Sequence, residues 1–250
     1  MNITIPQTYE ELSEQQRGVL CSILLTSSPF GGGGGRLPLR IIKTLISHLP
    51  NRTQQQLLQE VPFTALWQYA EPFLTTEKLY HFREVTKMIA PAPRLANLTI
   101  KQFSVADSLY YRLRLSQYQD ELLLRQLMAS LYNLPDTPFD VLNLPQVAEH
   151  TDKTPITTAY EVAFAYTCCR EYIIGKYPKV FSSPSSTQRG EKPVFRKEAA
   201  YTPFSKIISV MAMDKHQPLG NWHQCNATRV YDFFEVLTES ILQAEQRAKS

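Results

Sequence analysis

ITTAYEVAFAYTCCREYIIG, residues 156–175, is the stretch on which the fold turns. Ile156, Tyr160, Phe164, Tyr172 and Ile173 recur at helical spacing. Val162, Ala163, Ala165, Tyr166 and Cys168 fill the faces between them, so apolar residues nearly encircle the segment. A helix apolar on most faces belongs inside a protein, and this one is expected to be the buried spine onto which the others pack. Glu161, Arg170 and Glu171 interrupt the run, so it lacks the roughly 18 uninterrupted apolar residues of a membrane span.

Helix signals recur outward from this spine. Thr8-x-x-Glu11, Thr53-x-x-Gln56, Thr99-x-x-Gln102 and Ser104-x-x-Asp107 approximate the capping-box spacing, in which a hydroxyl caps the N3 amide and the N3 side chain reaches back. Pro155 after Thr154 suits the first position of a helix. Five of the nine glycines lie in one block, Gly31 to Gly35, which leaves too few for the turns of a sheet-rich fold. The expected class is all-α: an irregular globule of about eight short helices around a buried central helix. They are expected at 9–26, 38–49, 54–70, 76–89, 104–133 (broken near Ser116), 156–175, 203–213 and 226–248, with prolines marking many ends and kinks. No internal repeat is evident.

Two segments are expected to be mobile: Gly31–Gly35, with an end-to-end reach of roughly 12 Å, and the polar run 182–201, SSPSSTQRGEKPVFRKEAAY. They read as surface loops, or alternatively as a hinge or a partner-ordered segment. The expected division is a main domain over 1–181, a linker over 182–201 and a mobile C-terminal helical pair over 202–250.

Hydrophobic residues make up 43% of the chain and charged residues 20%, which is not the profile of a disordered chain. The 26 basic and 23 acidic residues leave a net charge of +3, too even and too dispersed for a nucleic-acid footprint. Met1 to Gln7 leads directly into Tyr9-Glu10-Glu11, without the charge-then-apolar layout of an export signal, so the expected compartment is the cytoplasm. The four cysteines, Cys21, Cys168, Cys169 and Cys225, form no Cys-x-x-Cys pair and read as reduced, buried thiols.

No chemical signature stands out. His216, His223 and Cys225 do not match zinc spacing. Cys168 and Cys169 lie beside Arg170 but have no histidine close in sequence to act as base. Glu10-Glu11 and Asp120-Glu121 are helix neighbours that do not face each other. Gly31–Gly35 runs into Arg36-Leu37-Pro38 and lacks the Gly-Lys-Ser/Thr ending of a P-loop. No catalytic, cofactor or metal residue is therefore assigned. Arg36, Arg40 and Lys43 share one side of an amphipathic helix, a possible contact for a membrane surface or an acidic partner. Aromatics at helical spacing, such as Tyr110, Tyr111, Tyr118 and Tyr132, are usually core. Aromatics are also the preferred anchors of protein interfaces. On that ground Trp222, Tyr231, Phe233 and Phe234 are the candidate protein-binding residues.

Several stretches together resemble a group of helical proteins from phage and prophage tail modules of Bacteroidetes-type bacteria, described as tail-assembly chaperones. They are the opening Thr8-Tyr9-Glu10-Glu11-Leu12-Ser13-Glu14-Gln15, the middle segment Phe103-Ser104-Val105-Ala106-Asp107 and the central-helix ending Tyr177-Pro178-Lys179-Val180-Phe181. The run from Asp214 through Trp222 to Val230-Tyr231-Asp232-Phe233-Phe234 completes the set. The resemblance implies a non-enzymatic role with no cofactor: binding a long helical tape-measure protein, or other tail components, during assembly. A structural component that stays in the particle is the alternative. Neither nucleic acid nor membrane is an expected partner.

Overall fold

A computed structural model describes residues 4–27, 36–181 and 201–248. The Gly31–Gly35 block and all but Tyr201 of the 182–201 run lie outside them. The described residues form twelve α-helices and two 3-10 turns, with no strand beyond two isolated bridges, so the all-α class holds. In chain order the helices are α1 Glu14–Thr26, α2 Arg36–Leu45, α3 Asn51–Glu60, α4 Phe63–Thr75, α5 Ile100–Leu115, α6 Glu121–Leu131, α7 Leu144–Thr151, α8 Ile156–Lys176, α9 Pro178–Phe181, α10 Phe204–Met213, α11 Trp222–Ala227 and α12 Val230–Arg247. Among the described residues no helix is long and apolar enough to cross a membrane.

α8 is the expected spine. Ala159, Val162, Ala163, Ala165, Tyr166, Cys169 and Ile173 are all buried, with α1 and α6 packed along it. α1 comes unusually close: a Cβ at Gly18 would sit 2.8 Å from the Thr157 carbonyl oxygen, so only glycine lets the two backbones meet there.

An internal repeat, absent from the sequence reading, emerges from the hydrogen bonds. Ser13 and Gln16 form a reciprocal capping box at the start of α1. Gln16 Nε2 then donates to the carbonyls of Thr44 (3.1 Å) and Leu45 (3.0 Å), which end α2, and lies 3.3 Å from His48 Nδ1. Gln102, 86 positions later, repeats the arrangement. Thr99 Oγ1 accepts from its amide, and its Nε2 donates to the carbonyls of Ser130 and Leu131 at the end of α6 (3.1 Å each) and to Asn133 Oδ1 (3.3 Å). The same shift pairs buried Cys21 with Asp107, Ile41 with Leu127, Ile42 with Met128 and Ile46 with Tyr132. The hairpins α1–α2 and α5–α6 are thus two versions of one unit, in which a glutamine on the first helix satisfies the orphan carbonyls of the second. Few identical residues are needed for this, which is why the repeat escapes a reading by eye. Gln102→Ala leaves two buried carbonyls without a donor. It is expected to lower stability by about 1–3 kcal/mol, measured by urea unfolding.

The expected boundaries need corrections: the helix expected from 104 begins at Ile100 on its Thr99 cap, and α7 was not expected at all. The helix expected from residue 9 starts at Glu14, because Ser13 rather than Thr8 caps it. The helix expected over 54–70 is split at Pro62 into α3 and α4. The segment 76–89 is not helical. Its Leu79, Phe82 and Val85 are buried, and its backbone is satisfied from outside. Tyr132 Oη donates to the Arg83 carbonyl (2.5 Å), Arg94 N to the Tyr80 carbonyl (3.1 Å), and Ile89 exchanges both bonds with Asn133. Tertiary contacts here override a helical pattern. Finally, the C-terminal pair is three helices, because Thr228 and Val230 bond to Ile100 and Leu98 and interrupt the expected 226–248 run. They are not detached: Phe204 and Phe234 pack on Phe103 of α5 within one continuous core.

The break near Ser116 occurs as expected. Ser116 caps α5, and Gln117 and Tyr118 take left-handed backbone angles that turn the chain toward α6.

Candidate functional site

An apolar groove of about 700 Å3 lies beside the second hairpin. Ser104, Val105, Ser108 and Leu109 of α5 form one wall, and Leu122, Gln126 and Ala129 of α6 the floor. The opposite wall is Val141, Leu144, Pro145 and Ala148 of the α7 region, and Ser205 of α10 closes one end. Helical spacing explains the grouping, since residues three and four apart share a face. Leu122 is 65% exposed at the edge, Val141 is exposed beside it, and the next residue, Leu142, is 84% exposed.

The fold itself does not require this surface to be apolar. The 86-residue shift that superimposes the hairpin latches puts Leu122, Gln126 and Ala129 at the positions of Arg36, Arg40 and Lys43. At these three positions the first version of the sequence has cations and the second has an uncharged Leu, Gln and Ala. Arg125, the cation in the groove wall, is held by Glu121 Oε1 (3.1 Å) and by the carbonyls of Asp152 (3.0 Å) and Thr154 (3.3 Å). It ties α6 to the turn after α7. Asp152 is the other charged side chain in the wall. What the groove can do chemically is bury another molecule's apolar side chains.

Behind the groove lies a buried ion pair. Asp107, one residue before Ser108, is 1% exposed. Its Oδ1 accepts from Arg170 Nε (2.5 Å) and Tyr166 Oη (3.3 Å), and its Oδ2 from Tyr201 Oη (3.0 Å). The Tyr201 ring stacks on Tyr111 at 4.3 Å and 12°, so the chain is anchored where α10 begins. Burial, and then the nearby carboxylate, push the Tyr166 and Tyr201 phenols above their usual range. Burial alone would lower the Arg170 pKa, but Asp107 more than reverses this.

A second buried carboxylate, Glu161, accepts from Arg17 Nε (2.6 Å) and has Arg83 at 3.9 Å. Burial still raises its pKa against these cations. The cysteines are equally interior. Burial pushes the Cys169 thiol up to about 12 and raises Cys21, Cys168 and Cys225, so the Cys168-Cys169 pair is protonated at neutral pH.

The four expected protein-binding residues do not form one patch. Trp222 is 45% exposed at the start of α11, where Asn221 Oδ1 accepts from the amides of His223 (3.0 Å) and Gln224 (3.1 Å). Tyr231 is half-buried, and its hydroxyl donates to the Arg94 carbonyl (2.6 Å). Phe233 and Phe234 are fully buried and must be corrected from anchors to core, because the face of α12 that carries them turns inward onto Phe103 and Phe204. His216 and His223 are exposed while Cys225 is buried. Among the described residues, no three or more His, Cys, Asp or Glu are grouped to hold a metal ion.

The groove residues carry one faint sequence signal. In Leu122-Leu123-Leu124 the core takes only the last two, leaving Leu122 outside. No protein-family model matches the chain, and no curated protein or solved structure is similar to it.

Proposed function

We propose that this is a non-enzymatic binding protein that takes an apolar helix face of a partner into the α5–α6–α7 groove. One observation carries the reading: positions that are basic in the first hairpin are uncharged in the second, where they line a largely apolar groove with exposed leucine at its edge. Isolated exposed leucines mean little, but a concave apolar surface marks an interaction site. The resemblance to tail-module proteins supplies the partner, a tape-measure protein or another helical tail component bound during assembly in the host cytoplasm. Retention in purified particles would instead favour a structural virion component.

The test is the double variant Leu122→Arg/Gln126→Arg, which copies cationic residues of the first hairpin onto two exposed positions. Stability is expected to stay within about 0.5 kcal/mol. Binding of the partner is expected to fall by roughly tenfold or more, because the cations would have to be desolvated against an apolar surface. Unchanged binding by this variant counts against the groove.

A further inference from the structure

The turn that leads into α5 carries a clamped arginine. Arg94 and Leu95 both take left-handed backbone angles, φ +57° and +63°, which glycine adopts freely and larger residues rarely do. Neighbours hold the turn there. Arg94 N donates to the Tyr80 carbonyl (3.1 Å), and the Arg94 carbonyl accepts from Tyr231 Oη (2.6 Å). The Ala92 amide donates to Asn97 Oδ1 (2.7 Å), and Arg229 donates to the Asn97 carbonyl. Leu95 is fully buried, so its angle serves the core. Arg94 is exposed, and its angle instead sets where the side chain goes. Backbone held in a sparsely populated region at an exposed residue is a pointer to function.

That place is between two tyrosines. The Arg94 guanidinium carbon lies 5.0 Å from the Tyr80 ring centroid and 4.7 Å from that of Tyr172, and the two rings are 5.9 Å apart at 69°. Tyr231, whose hydroxyl holds the Arg94 carbonyl, has Lys176 over its ring at 4.8 Å, and Lys176 stands one helical turn beyond Tyr172 on α8. Direct contacts therefore join these residues into one surface. Its charges do not cancel. Lys176 is paired with Glu235 (3.6 Å), and Lys78, which also acts on the Tyr80 phenol, is paired with Glu171 (3.5 Å). Each of these carboxylates has its own lysine. Among the described residues, Arg94 has no carboxylate within ion-pair distance. A guanidinium stacked on aromatic faces still has the fork of N–H donors at its edge, which matches the two oxygens of a carboxylate. A phosphate, with nearly twice the charge, is met by a cluster of arginines, and only one uncompensated cation stands here.

We infer that Arg94 is the receptor for a carboxylate of a partner protein, a glutamate or aspartate in a segment that lies across Tyr80, Tyr172 and Tyr231. The two-pronged pair fixes the position of the segment, and the half-buried tyrosines cover the apolar side chains on either side of it. None of these residues lines the α5–α6–α7 groove, so the inference does not rest on the reading of that groove.

The test titrates the full chain with three short capped peptides that differ only in a central glutamate, glutamine or phosphoserine flanked by leucines. Binding is read by calorimetry and by the NMR signal of Arg94 Nε–H. The glutamate peptide is expected to bind about tenfold more tightly than the glutamine peptide and to shift that signal. Arg94→Gly, which suits the left-handed backbone, is expected to abolish the preference while the protein stays folded. Arg94→Lys keeps the charge without the fork and is expected to retain no more than about threefold. Leu122→Arg/Gln126→Arg is expected to bind the glutamate peptide normally, which separates failure here from failure of the groove. Equal affinity for the glutamate and glutamine peptides, or no binding of either, overturns the proposal. So does a preference that survives Arg94→Gly, wild-type binding by Arg94→Lys, or tighter binding of the phosphoserine peptide.

Discussion

Asp107→Ala is expected to destabilise the protein by about 3–5 kcal/mol, a large fraction of the 5–15 kcal/mol by which domains are typically stable. The substitution removes the acceptor of three hydrogen bonds at once, from Arg170, Tyr166 and Tyr201. It also strands the Arg170 guanidinium, whose side chain is only 19% exposed. An unpaired buried charge costs more than the pair contributes, so deletion of one partner is the severe change. Asp107→Asn keeps acceptor oxygen without charge and is expected to fall between wild type and Ala. Urea unfolding followed by circular dichroism gives both numbers. A loss below about 1 kcal/mol for Asp107→Ala would show that the cluster is not dehydrated in solution.

Phe234→Ala is expected to cost a further comparable amount, about 3–5 kcal/mol, through the cavity it leaves. Its ring is a hub: the centroids of Phe103, Phe204, Tyr177, Phe181 and Phe233 lie between 5.4 and 5.9 Å away. The neighbours come from α5, α9 with the residue before it, α10 and α12 itself, so the gap cannot close by moving one helix. The ring also joins the C-terminal helices to α5, and its loss is expected to lower the cooperativity of unfolding as well as the midpoint. A Phe234→Ala protein that keeps wild-type stability but loses partner binding would restore the interface role that its position in the aromatic run implies. Calorimetric melting separates the outcomes.

How much of this was legible depends on whether the local signal and the tertiary contact agree. α8 reads correctly because an all-round apolar helix has one destination, the centre. The Thr99-x-x-Gln102 spacing does mark a cap, because capping is local to one turn, but Ser104-x-x-Asp107 has the same spacing and the helix expected from 104 begins at Ile100. Ser13-x-x-Gln16 has the same spacing, but Thr8-x-x-Glu11 lies five residues upstream with an equal claim, and only the structure shows which hydroxyl starts the helix. Residues 76–89 fail for the opposite reason. Leu79, Phe82 and Val85 fall at a spacing that a helix would also give, while the partners that satisfy the chain, Tyr132 and Asn133, are some fifty residues away. The hairpin repeat depends on two glutamines reaching 28 and 29 positions ahead, a relation no local pattern reveals.

The candidate site was legible in one residue. Trp222 follows a polar turn, and exposure there agrees with its local setting. Phe233 and Phe234 are chemically just as suited to an interface, but the face of α12 on which they stand is fixed by Phe103, more than a hundred positions earlier. The groove was illegible for a similar reason. Leu122 differs from Leu123 and Leu124 only in the direction it points, and α7, which makes the groove concave, was not among the expected helices.

The most direct test of the central claim is a side-by-side affinity capture from cells producing the protein with its neighbouring gene products. Wild type and Leu122→Arg/Gln126→Arg serve as baits, and mass spectrometry identifies and quantifies what each retains. The account predicts a long helical partner held by wild type and depleted at least tenfold by the variant, with both baits equally folded. Equal recovery of the same partner by both baits, or a wild-type bait recovered as an unaccompanied monomer, would contradict it.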